Sequence, residues 1–96
     1  MEQYRFSAHA QKDLINIVNY TLKKWGKTQA NIYIDGLEEL AGNLAKSPTL
    51  GTLRNDLKDD LLSFPYQSHI LFYTSTKSGI TIIRILHQHQ SWEKNI

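Results

Sequence analysis

The sequence predicts an α+β fold of order β-α-α-β-β-β, with a helical hairpin packed on a mostly antiparallel four-stranded sheet. Three observations carry that prediction. Two apolar stripes of helical spacing follow one another with only a short link around Gly26 between them, the pattern of an antiparallel helical hairpin. Ser47-Pro48 then ends the helical pattern, because proline disfavours helical geometry in the residue before it. The last third is rich in β-branched and aromatic residues on either side of a turn, Thr76-Lys77-Ser78-Gly79.

Taken in order, residues 2–6 predict a short strand with Tyr4 and Phe6 on one face. Ser7 is placed to cap the first helix, since its hydroxyl can accept from a free first-turn amide. From Ala8 the helical stripe is Leu14, Val18, Leu22 and Trp25, widened by Ile15, which makes Trp25 a core residue. Gly26 is a natural stop, and Thr28 is the expected cap of the second helix. There the stripe is Ala30, Tyr33, Ile34, Leu37, Ala41, Leu44 and Ala45, running to about residue 46. Residues 49–60 predict a loop, and residues 61–64, 67–75 and 80–87 predict three successive strands, followed by a loose end from Ser91 to Ile96.

The last strand is apolar on both faces. Strict alternation puts Ile80, Ile82 and Leu86 on one side with Arg84, and Thr81, Ile83 and Ile85 on the other with His87. Such a strand is either central and covered twice, or it presents one face to a partner. Trp92, beyond that strand, is either docked or partner-facing.

A chain of 96 residues predicts a single domain over 1–96 with one modest core. There is no cysteine, which excludes a disulfide framework and thiolate metal sites and suits a reducing cytoplasm. No apolar run approaches the roughly 18 residues of a membrane span, and Met1-Glu2-Gln3-Tyr4-Arg5 holds no signal-peptide core, so a cytoplasmic location is expected. The net charge of +2 divides into +3 over residues 1–27, −3 over 28–62 and +2 over 63–96. A protein that lives on nucleic-acid phosphates carries a stronger and more contiguous basic excess.

Few chemistries fit the residue types present. His87 and His89 share a strand face, but two histidines without a third ligand do not define a metal site, and no metal or other cofactor is expected. There is no nucleophile elbow and no phosphate-cradling glycine loop. Metal-independent RNA cleavage needs a base, an acid and a cation. The candidates for it are Arg84, His87 and His89, with Arg54, Lys58 and Tyr73 as further residues of suitable type. Each also has an ordinary reading: Tyr73 as a half-buried strand aromatic, Arg84 as the partner of an acid, His69 as a hydrogen-bonded structural histidine.

Pieces through nearly the whole chain resemble the ParE branch of the RelE/ParE toxin superfamily, also labelled plasmid stabilisation proteins. They are Ala10 with Asp13-Leu14, Tyr20, Trp25-Gly26, Gln29-Ala30, Tyr33, Leu44-Ala45, Pro48 and Gly51, followed by Arg54, Phe64-Pro65, Ser68-His69, Phe72-Tyr73 and Arg84-Ile85-Leu86-His87. Single pieces are unspecific; their order and spacing together are specific. The chain departs from the pattern where many relatives carry an Arg just before the Phe of the third-strand motif, having Leu62-Ser63, and after His87, where Gln88-His89-Gln90-Ser91 stands in place of a basic residue and Met-Asp.

The resemblance implies the same β-α-α-β-β-β fold and the toxic half of a type II toxin–antitoxin pair. The partner it implies is a cognate antitoxin encoded alongside, which wraps the toxin with a helix and an extended segment. The implied target is DNA gyrase, blocked by binding rather than by chemistry, with no specific DNA binding in the absence of antitoxin. A ribosome-dependent mRNA endonuclease and a non-toxic regulatory homologue are the alternatives. The positions it marks for antitoxin or target binding are Arg54, His69, Tyr73, Arg84, His87 and Trp92.

Overall fold

The computed structural model describes residues 3–96; Glu2, which opens the expected first strand, lies outside the described residues. The elements are β1 (Gln3–Phe6), α1 (Ala8–Trp25), α2 (Lys27–Lys46), β2 (Thr52–Leu53), β3 (Leu62–Tyr66), β4 (His69–Thr76), β5 (Gly79–His87) and a one-turn helix α3 (Trp92–Asn95). The strands form one sheet in the order β1-β5-β4-β3-β2, with β1 parallel to β5 and every other pair antiparallel. The α+β class and element order follow the sequence prediction, with one strand more than the four expected.

The added strand lies inside the expected loop 49–60. Thr52 and Leu53 pair with Ser63 and Leu62. Arg54 then donates its N–H to the Leu61 carbonyl at 2.6 Å, so the intervening residues close on themselves. Two residues are too few for any side-chain period to show.

Ser7 caps α1 as expected, accepting from the Ala10 N–H at 3.0 Å, and its hydroxyl donates to the Ile83 carbonyl at 2.7 Å. One side chain thus starts the helix and fastens it to β5. The core-facing stripe of α1 is Ala10, Leu14, Ile17 and Thr21, not the stripe through Trp25, which is 65% exposed. Both stripes have helical spacing; the buried one starts on a small alanine that packs close to the sheet. The link between the helices is Gly26 alone, at φ 93°, and its N–H reaches the Thr21 and Leu22 carbonyls at 3.1 Å. Because α2 starts at Lys27, Thr28 lies within its first turn and is not the cap that the sequence predicted. The buried stripe of α2 is as predicted, with Ile34 half-buried.

Alternation breaks in β5. Phe72 pairs with Arg84 and Tyr73 with Ile82, so Ile83 is an extra residue, a β-bulge. Ile80, Ile82 and Ile85 therefore all face the helices, while Ile83 and Leu86 face away. The expected grouping of Leu86 with Ile80 and Ile82 does not hold, because one inserted residue reverses every side chain beyond it.

The outer face of the sheet carries its own small core of Leu61, Phe72 and Leu86, covered by Leu57, Trp92 and Ile96. The two-faced strand is thus covered twice, the second time by the chain's own loop and C-terminal turn. Ser91–Ile96 is not loose: Trp92 and Ile96 are four apart and fall on one side of a helical turn, which seats them together. No helix among the described residues is long and apolar enough to cross a membrane.

Candidate functional site

The bulge places Arg84 on the outer face, where three protein oxygens hold its guanidinium. Nε and Nη2 donate to the Asp13 carboxylate of α1 at 2.8 and 3.1 Å, and Nη1 donates to the Asn95 carbonyl of α3 at 2.8 Å. Asp13 also accepts the Ile85 N–H at 3.0 Å, satisfying the edge of β5 beyond the end of β1. Both side chains are mostly buried, and the bond to Asp13 raises the Arg84 pKa further above its ordinary value. Three of its five N–H donors are thus held by protein oxygens, which leaves two for a substrate phosphate.

Arg54 and Trp92 meet on the same side of the sheet. The guanidinium carbon of Arg54 lies 5.0 Å from the Trp92 ring centre, while Nε and Nη2 donate to Asp56 at 3.1 and 3.0 Å. Trp92 in turn packs edge-on against Phe72 with ring centres 5.8 Å apart. It is docked. Tyr73 is fully buried, with its hydroxyl donating to the Pro48 carbonyl at 2.6 Å, and burial raises its pKa. A partner meets Tyr73 only through what it holds in place.

Three of the four histidines, His69, His87 and His89, gather at the other end of the sheet. The two-residue turn Gln67–Ser68 brings the start of β4 beside the end of β5, with His69 opposite His87. Their ring centres are 5.6 Å apart, and His89 follows 5.3 Å from His87. The His89 N–H donates to His87 Nδ1 at 3.1 Å, so that nitrogen is unprotonated and neutral His87 carries its proton on Nε2. Tyr33 of α2 shares a 3.3 Å hydrogen bond with His69 Nδ1. Burial, and then the neighbouring His87, push the His69 pKa below its ordinary 6.5. Burial raises the Tyr33 pKa as well, with Tyr66 adding to it. Tyr66 itself donates to the Tyr33 carbonyl at 2.7 Å.

His69 and His87 open onto a cleft of about 730 Å³ between the C-terminal half of α1, the start of α2 and the end of the β4–β5 hairpin. Its wall on α1 is Asn16, Tyr20 and Lys24, a stripe with steps of four beside the core stripe. Lys24 Nζ stands 5.6 Å from the ring centres of both Tyr20 and Trp25 and donates to the Tyr20 hydroxyl at 3.1 Å. The sequence reading did not mark Tyr20, Lys24 or Gln67 as site residues. The four-residue spacing along α1 was the available signal, and it points to a cleft only once the β4–β5 end is known to lie opposite.

The marked residues thus divide among three places. His69 and His87 line the cleft with His89 beside His87, Arg54, Arg84 and Trp92 lie on the outer face, and Tyr73 lies in the core. Among the described residues no group of three or more His, Asp or Glu side chains is placed to hold a metal ion. The apolar side chains Ile15, Leu22, Trp25 and Ile32 lie exposed on the helical hairpin, and Trp25 also lines the cleft.

Comparison with known proteins gives the chain its family. The profile described as "ParE toxin of type II toxin-antitoxin system, parDE" matches residues 4–92. The chain is 30% identical to Toxin ParE1 of Mycobacterium tuberculosis over 95 residues, 98% of this chain and 97% of that one. It is 33% identical to Toxin ParE1 of Caulobacter vibrioides over 88 residues, 92% and 91% of the two chains. Its fold matches a solved chain titled "Chromosomal ParDE TA system from P. aeruginosa" with a TM-score of 0.74, covering 91% of this chain and 96% of that one at 17% identity. A profile that spans nearly every described residue, together with relatives aligned almost end to end, places the chain in the ParE toxin family of type II toxin–antitoxin systems.

Proposed function

We propose that this chain is a toxin that acts in the cytoplasm by binding DNA gyrase and blocking replication, and that a cognate antitoxin neutralises it. The gyrase target is what the family resemblance implies, and the relatives named Toxin ParE1 support the toxin role. One observation favours inhibition by binding over cleavage. Arg84, the strand cation best placed in sequence to meet a phosphorane, is held by Asp13 and Asn95. The exposed strip Ile15, Leu22, Trp25 and Ile32 is the kind of surface that a helix of the antitoxin or a face of the target can cover.

A supercoiling assay with purified gyrase tests the reading. Inhibition that saturates with added toxin is expected; normal supercoiling at saturating toxin refutes it. One feature favours the endonuclease alternative, the His69–His87 pair beside Lys24. Mapping of transcript ends after induction separates the two, because only cleavage leaves codon-linked cuts. Growth after expression without antitoxin separates both from a non-toxic homologue.

A further inference from the structure

The cleft at the histidine end has features that the inhibitor reading does not use. Its lining gathers three groups able to carry positive charge, Lys24 from α1, His69 from β4 and His87 from β5, and no Asp or Glu is among the lining residues. A pocket lined by one sign of charge attracts the opposite one. Two exposed aromatic side chains line it, Tyr20 at 59% and Trp25 at 65%, with Lys24 Nζ over a ring face of each and the opposite faces left for a flat ligand. Three amide residues also line it, Asn16, Gln29 and Gln67, whose side chains both donate and accept as a base edge requires.

Gln67 adds an independent observation. It has φ 53°, the left-handed region that favours glycine, at the first position of the two-residue turn between β3 and β4. A glutamine costs stability there, and its side chain lines the cleft. The cleft volume of about 730 Å³ lies within the range of small-ligand sites.

We propose that this cleft binds a nucleoside monophosphate, with the base stacked at Trp25 and Tyr20 and the phosphate among Lys24, His69 and His87. Flat exposed rings select a flat ring, and clustered cations without a carboxylate select an anion. The paired amides favour a base over the carboxylate of an acidic peptide, which offers only acceptors. A bound anion favours the charged form of His69, which burial otherwise disfavours. The other titratable groups around them are Tyr20 on α1, Tyr33 on α2, Tyr66 on β3 and His89 beyond β5. Asp35 of α2 also reaches this group, adding to burial in raising the Tyr66 pKa. The site shares Trp25 with the exposed apolar residues offered for partner docking, and its test reads nucleotide binding alone.

The test titrates the full chain with AMP and UMP, following tryptophan fluorescence and the histidine ring resonances by NMR. Adenosine, inorganic phosphate and a poly-glutamate peptide are the comparison probes. Saturable binding of the nucleotides is expected, with shifts at His69 and His87 and none at His9, which lies near the far end of α1. Affinity should fall by about tenfold or more in Lys24→Met and in His87→Gln, the loss of a charge-assisted contact. It should also be weaker at pH 8 than at pH 6.5. Each of the following overturns the proposal: no saturable nucleotide binding, inorganic phosphate or poly-glutamate binding as tightly as AMP, or affinity unchanged by both substitutions. The wild-type NMR titration holds even if a variant folds poorly.

Discussion

Arg84 and Asp13, 71 positions apart, close a bidentate ion pair that joins the last long strand to the first helix. The Asn95 carbonyl on Nη1 makes the pair a three-way tie of α1, β5 and α3. Asp13→Ala strands a buried guanidinium and the Ile85 N–H together, so a loss of about 2–4 kcal/mol is expected. For a chain of this size that is a fall in Tm of at least about 8 °C. Arg84→Lys should lose less, since it keeps the charge but not the fork. Urea melts within about 0.5 kcal/mol of wild type for Asp13→Ala would show that the tie carries no stability.

The two tryptophans should respond oppositely to truncation. Trp92→Ala removes the cover of Phe72 and Leu86 and should cost about 2–4 kcal/mol. Trp25→Ala, on the exposed strip, should stay within about 0.5 kcal/mol of wild type while weakening whatever docks there. Equal losses in thermal melts would contradict this contrast.

Gly51 and Tyr73 should show coupled energetics. A Cβ on Gly51 would collide with the Tyr73 hydroxyl and lie 2.9 Å from the Ser63 carbonyl. Gly51→Ala is expected to cost about 1–3 kcal/mol. Tyr73→Phe loses the bond to Pro48, about 1–2 kcal/mol. In the double variant the hydroxyl that obstructs the Cβ is gone, so the summed cost should exceed the measured one. Strict additivity in a double-mutant cycle would show that the hydroxyl does not limit the space at Gly51.

Stability should fall as pH drops below about 6.5. His69 has a folded pKa below that ordinary value, so below it the unfolded chain takes up a proton that the folded chain resists. The contribution is fully present above 6.5 and is lost as pH falls toward the folded value. Asp56 is held below its ordinary 3.8 by Arg54 and acts only in a lower window. His69→Gln should flatten the dependence between pH 7 and pH 5, as read from urea midpoints. An unchanged slope would assign it to other groups.

Legibility in the sequence tracked how uniquely each residue's neighbours were determined. The stripe of α2 was readable because only one arrangement of Ala30, Tyr33, Leu37, Ala41 and Leu44 buries the large side chains together. For α1 two stripes were periodic, and hydrophobicity favoured the one with Trp25, whereas packing chose the one with Ala10 and Thr21. The bulge at Ile83 leaves no mark in composition, and it reversed the faces of Ile85 and Leu86. Of the site, His69 and His87 could be singled out because polar rings stand out in apolar strands. Lys24 and Gln67 could not, since each is unremarkable until the helix that carries one is set against the turn that carries the other.

The parallel pairing of β1 with Gly79–Ile82 sets a timetable for synthesis. Phe6 emerges 73 residues ahead of Gly79, so at about 5–20 residues per second β1 waits several seconds for β5, its one strand neighbour among the described residues. Until then Tyr4 and Phe6 have no sheet to join, and the helical hairpin, whose contacts are local, forms over an absent floor. The finished surface therefore comes into being only once nearly the whole chain has been made.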